Sequence, residues 1–192
     1  MNKTSQNRPS STILKSVSKP GRYSGGEHGA ILKDKSKVKA RFAFCFPDTY
    51  EIGMSNLGMR ILYGVLNAQS DIWCERVYDP WIDMQEKMRE HHLPLCACES
   101  GDPISEFDMI GFTLQYEMSY TNILNMLRLA KVPLHSRERT SLKNMVFAGG
   151  VCAFNAEPIA DFVDFFSLGE GEEITVEIVS LYDRAKAENW TK

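Results

Sequence analysis

Five times along residues 38–188 a short, nearly unbroken apolar run gives way to a segment of helical periodicity, and few folds can accommodate that alternation. The runs at 40–46, 72–78, 108–114, 144–148 and 163–168 have the length of strands. Segments 57–68, 80–91, 119–130 and 171–188 read as helices, with a short turn at 157–161. In 57–68 the apolar positions are 57, 61, 62, 65 and 66, and in 171–188 they are 174, 178, 181, 182 and 185. Strands that are apolar throughout are buried on both faces, which is the situation in a parallel sheet covered by helices. The expected fold is therefore α/β: flavodoxin-like (Rossmann-like), doubly wound, with a mainly parallel five-stranded sheet and helices on both faces. A shorter run at 93–97 reads either as an extra edge strand or as part of a connection.

Before these units lies a different kind of sequence. Residues 1–37 form a basic, largely irregular lead-in, with Lys3, Arg8, Lys15, Lys19 and Arg22 and no acid before Gly26. Its first twelve residues read as a solvated tail, and folded structure is expected from near Val38 to residue 188. Ser119 is the expected N-cap of the helix at 119–130, with Pro133 just beyond its end.

Composition narrows the function classes. A net charge of -3 gives no electrostatic reason to expect nucleic acid. No apolar run approaches the roughly 20 residues needed to cross a bilayer, which excludes a membrane span. Five cysteines without a paired spacing, and no apolar leader, point to the cytoplasm. Cys96-Ala97-Cys98 reads as structural thiols, His91-His92 as an exposed helix end, and Trp73 and Trp81 as core or interface aromatics. There is no GxxxxGK[ST] phosphate loop and no spacing that supports a Ser-His-Asp arrangement.

In an open parallel sheet the loops that leave the strands share one edge, so 48–56, 115–119, 149–155 and 169–172 are expected to converge. Gly149-Gly150 allows close approach of backbone to a flat ring, or alternatively a tight turn with positive φ. Gly169-Glu170-Gly171-Glu172-Glu173 places acids in a first helical turn, where they complement the helix dipole. The loop Asp48-Thr49-Tyr50-Glu51-Ile52-Gly53 has the spacing of a DxHxxG cobalamin loop, with tyrosine where the cobalt-ligating histidine would stand. A phenol is protonated at neutral pH and is a poor ligand beside imidazole.

The run Pro47–Met59, together with Gly111–Asn125 and Ala148–Pro158, resembles the N-terminal region of a bacterial family of B12-binding-domain radical SAM proteins. The resemblance implies a cobalamin-binding-like module ahead of a barrel that binds S-adenosylmethionine and a [4Fe-4S] cluster. The barrel's CxxxCxxC motif does not occur here, so the resemblance implies the front domain of a longer enzyme, inactive alone. Carried over position by position, Asp48, Tyr50 and Gly53 stand for the first signature, Thr113 for the hydroxyl contact, and Gly149 and Gly150 for the third. Gly169 and Gly171 would admit the nucleotide tail.

Two roles follow from the resemblance. The domain either cradles cobalamin, or docks on the radical SAM barrel and gates an unknown substrate, with Tyr116, Glu117 and Tyr120 as contact residues. A free-standing flavodoxin-like binder of flavin or nucleotide, or an interaction module, is the rival from another class.

Overall fold

The computed structural model describes residues 7–192. Five strands, β1 (Ala40–Phe46), β2 (Ile72–Tyr78), β3 (Met109–Thr113), β4 (Met145–Gly149) and β5 (Phe165–Ser167), form one sheet in the order β2-β1-β3-β4-β5. Every pairing is parallel. This is the flavodoxin-like order, in which the chain reverses its direction of winding between β1 and β3. The run at 93–97 is a connection that touches the rest only through an isolated antiparallel bridge, Cys96 to Pro103.

Period-two alternation divides the sheet residues between two cores. Phe42, Phe44, Phe46, Cys74, Met109 and Phe147 meet α3 (Leu57–Ala68) and α6 (Gly171–Ala187) through Met59, Leu66, Val179 and Tyr182. Ala43, Cys45, Val77, Ile110, Phe112 and Val146 face α4 (Ile82–Glu90) and α5 (Tyr120–Leu129) through Met84, Met88, Ile123 and Met126.

The structure departs from the sequence reading in three places. Residues 1–6 of the expected tail lie outside the described residues, but contact with the domain begins well before Val38. The short helix α1 (Ser11–Lys15) places Ile13 in the second core, and Val17 follows it there. The loop after β1 folds into α2 (Tyr50–Ser55), which ends at Asn56; the Asn56 side chain caps α3 by accepting from Met59 N. Ser119 occupies the N-cap position of α5 but makes no cap bond, because its backbone is already helical (φ -80°, ψ -7°) rather than extended, and its hydroxyl donates to Tyr116 O instead.

β2 is an edge strand, and its outer flank is sealed by side chains and loops. Asn67 accepts from Cys74 N and donates to Cys74 O, the Glu99 carboxylate accepts from Arg76 N, and Cys98 N donates to Arg76 O. Charges inside β1 and β2 are paired in the same region. The Arg41 guanidinium donates to Glu75 and Asp102, and Arg76 Nε donates to Glu99 at 2.7 Å.

Candidate functional site

Between the sheet and helices α3 and α6 lies a crevice of about 550 Å³ that opens at the C-terminal edge of the strands. Its floor is aromatic. Phe42 stands 5.5 Å from Phe147, which stacks on Phe165 at 5.0 Å with an interplanar angle of 1°. The rings lie this close because β3 carries Gly111 between them, where a Cβ would come within 2.4 Å of Phe42 Cζ.

The rim is built from the β–α loops. Thr113, Gly149, Gly150, Gly169 and Gly171 all line this crevice, so five of the eight residues singled out from the sequence come together. Gly150 has φ 110°, and a Cβ there would meet Leu114 O at 2.8 Å, so the tight-turn reading of Gly149-Gly150 holds. The turn is fixed by Leu114 N donating to Gly149 O and Cys152 N donating to Leu114 O. Gly169, at φ 97°, also needs glycine's freedom. The lining includes Glu170 and Glu172 and, among the described residues, no Lys, Arg or His.

Asp48, Tyr50 and Gly53 do not line it. α2 carries Tyr50 toward β2, where its ring meets Tyr78 edge-on at 5.5 Å and its hydroxyl donates to Glu27 Oε2 at 2.7 Å. Burial and that carboxylate push the phenol up to about 12, so it stays protonated. Gly53 is a packing residue: a Cβ there would lie 2.4 Å from Tyr78 Cε1. Asp48 Oδ2 accepts from Tyr116 Oη at 2.7 Å, and this bond bridges the β1 and β3 loops across the reversal of the sheet. None of these placements could be read from motif spacing, since Glu27 arrives from the lead-in.

The lead-in straps α2 down. Lys19 and Arg22 both reach Glu51, Tyr23 Oη accepts from Trp81 N, and Arg8 donates to the carbonyls of Ser24, Cys98 and Glu99. Of the residues expected to touch a barrel, Tyr116 and Glu117 are exposed. Tyr120 is buried, and its hydroxyl donates to Cys152 O and Asn155 O.

Large apolar side chains crowd the same edge. Met118 is 85% exposed, Phe154 79%, Val151 69%, Leu57 66% and Leu168 58%, and each sits on a loop or helix start that leaves the sheet. Among the described residues no group of three or more His, Cys, Asp or Glu is arranged to hold a metal, and no helix is long and apolar enough to cross a membrane. Cys96 and Cys98 are free thiols, both raised by burial.

The family model described as radical SAM proteins, N-terminal, matches residues 58–192, a span that includes every rim glycine and leaves out Asp48, Tyr50 and Gly53. An uncharacterized protein of Methanocaldococcus jannaschii is 27% identical over 148 residues, which is 75% of this chain and 27% of that relative. The chain thus spans about a quarter of that relative's length.

Proposed function

This chain belongs to the family of N-terminal regions of radical SAM proteins, and from that premise we propose that it is the accessory domain that docks on and gates the catalytic part of such an enzyme. The observation that carries the reading is the set of exposed apolar side chains Leu57, Met118, Val151, Phe154 and Leu168 on the segments that leave the C-terminal edge of the strands, of which Val151 and Phe154 line the crevice itself. Apolar surface concentrated on one edge marks a face that another surface covers. The [4Fe-4S] cluster and S-adenosylmethionine would be held by the catalytic part and supply the radical chemistry there. Residues of this chain would close the space above, exclude water and border the substrate.

The crevice favours a second use of the same edge, as a cobalamin cradle. Its volume and the side-chain-free backbone at Gly149, Gly150, Gly169 and Gly171 suit a bulky planar group held by shape, with the Thr113 hydroxyl beside it. Position 50 does not fit a cobalt ligand, because its phenol is protonated and committed to Glu27. Bound there, cobalamin would supply organometallic or radical chemistry. Any phosphate, whether of a flavin, a nucleotide or cobalamin's own nucleotide tail, would meet Glu170 and Glu172 with no cation among the described lining residues, so the crevice suits the corrin ring better than a phosphate-bearing tail.

Two measurements test the readings. Met118→Asp combined with Phe154→Asp should weaken binding to a separately produced radical SAM catalytic part by about tenfold or more while leaving the fold intact. Unchanged binding would remove the docking role. Titration with hydroxocobalamin should give no spectral shift and no colour retained after desalting if docking is the whole function, and retained pink colour would establish the cradle.

A further inference from the structure

The two edges of the sheet are treated in opposite ways. On β2 the outer peptide groups are satisfied by Asn67, Glu99 and Cys98, whereas among the described residues no strand pairs with the outer side of β5. Beside β5 runs a groove of about 490 Å³, lined among others by Met145, Phe165, Ile174, Ile178, Leu181 and Trp190. The stripe Ile174, Ile178 and Leu181 follows helical spacing along α6, next to the inward residues Thr175, Val179 and Tyr182 that cover the sheet. α6 therefore presents one apolar stripe to the sheet and a second to the space where a sixth strand would lie. Leu168, at the end of β5, belongs both to this groove and to the apolar rim.

We propose that the outer flank of β5 and its groove receive an extended strand from the catalytic part of the radical SAM protein. The proposal rests on the docking reading above and names the contact that reading lacks. The occupant follows from the page: the family joins this region to a catalytic part, and the relative matched here is covered over only 27% of its length. The chain's own path agrees. After α6 the backbone turns at Asn189, sets Trp190 against the groove and brings Lys192 Nζ to Asp164, the residue before β5. Strand addition supplies main-chain hydrogen bonds and places alternate side chains in flanking pockets. Because β5 has only three residues, the ladder is short and the apolar groove provides most of the contact.

Amide hydrogen exchange tests this, comparing the 192-residue chain with the same chain joined to the catalytic part. Exchange over residues 165–168 should slow by about tenfold or more in the joined protein, and Leu181→Glu should return it to within about twofold of the chain alone. Slowed exchange at 118 and 154 with none at 165–168 would overturn the strand and leave docking standing. No slowing at either place would overturn both. Protection of 165–168 in the chain alone that grows with concentration, alongside a dimer mass, would assign the edge to a second copy and overturn the proposal.

Discussion

Replacing Arg139 with alanine should lower stability by about 3–5 kcal/mol, seen as a fall in the urea midpoint at unchanged slope. Arg139 is a buried guanidinium whose five hydrogen bonds close one end of the sheet. It donates to both carboxylate oxygens of Asp164 and to the carbonyls of Pro133, Leu134 and Phe162. Asp164 in turn accepts from Val146 N at 2.7 Å and from Ser136 and Lys192. Burial alone would raise its carboxyl, but these donors outweigh burial and hold it below the usual carboxylate range. The cluster joins the 133–139 connection, β4 and the start of β5. Removing the cation strands three carbonyls and part of a buried carboxylate. The double variant Arg139→Ala with Asp164→Asn should cost less than the sum of the single changes, since the two groups act as a unit. A loss below about 1 kcal/mol would show that water replaces the guanidinium without penalty.

Asp79→Asn should work in the opposite direction. It should raise stability at pH 8 by about 2–4 kcal/mol, and the difference should vanish near pH 4. Asp79 directly follows β2, is 8% exposed and has its carboxyl raised to about 7, first by burial and then by Asp48, against the Asn125 amide and Arg89, which lower it. The sign follows from linkage. In the folded chain the group keeps its proton up to about pH 7, while in the unfolded chain it loses it near its ordinary value of 3.8. The folded state is thus favoured at low pH and loses that advantage as pH rises through 7. Asparagine preserves the bond from Asn125 Nδ2, 2.8 Å long in the native chain, and removes the ionisation. Thermal midpoints of both proteins from pH 4 to 8 provide the check. Parallel profiles would show that Asp79 titrates as an ordinary surface acid.

The strands were legible because burial on both faces leaves long apolar runs, and β1 and β2 match the expected boundaries residue for residue. Inside those runs, Arg41, Glu75 and Arg76 could not be interpreted, since Glu99 and Asp102 reach them from a connection without periodicity. α2 stayed hidden for a related reason: six residues containing Gly53 carry no apolar period. The lead-in is anchored by polar contacts to distant partners and by two buried apolar residues, Ile13 and Val17, in a polar setting, too few to register as a pattern. The convergence of the loops on one crevice was legible where topology alone decides it. Thr113 and the four rim glycines meet because parallel strands send their loops to one edge, whatever those loops contain. Tyr50 escaped that logic. Its direction is set by a short helix and by a glutamate 23 residues earlier in the chain.

The strap across α2 also constrains how this protein can change. A histidine introduced at position 50 would inherit the tyrosine's surroundings, turned toward Tyr78 and Glu27, with Lys19 and Arg22 pinning the helix through Glu51. Tyr50→His alone would therefore leave the new imidazole among those partners rather than among the residues that line the crevice. Turning position 50 toward the crevice would require the upstream segment to release its hold first, so the two changes depend on each other.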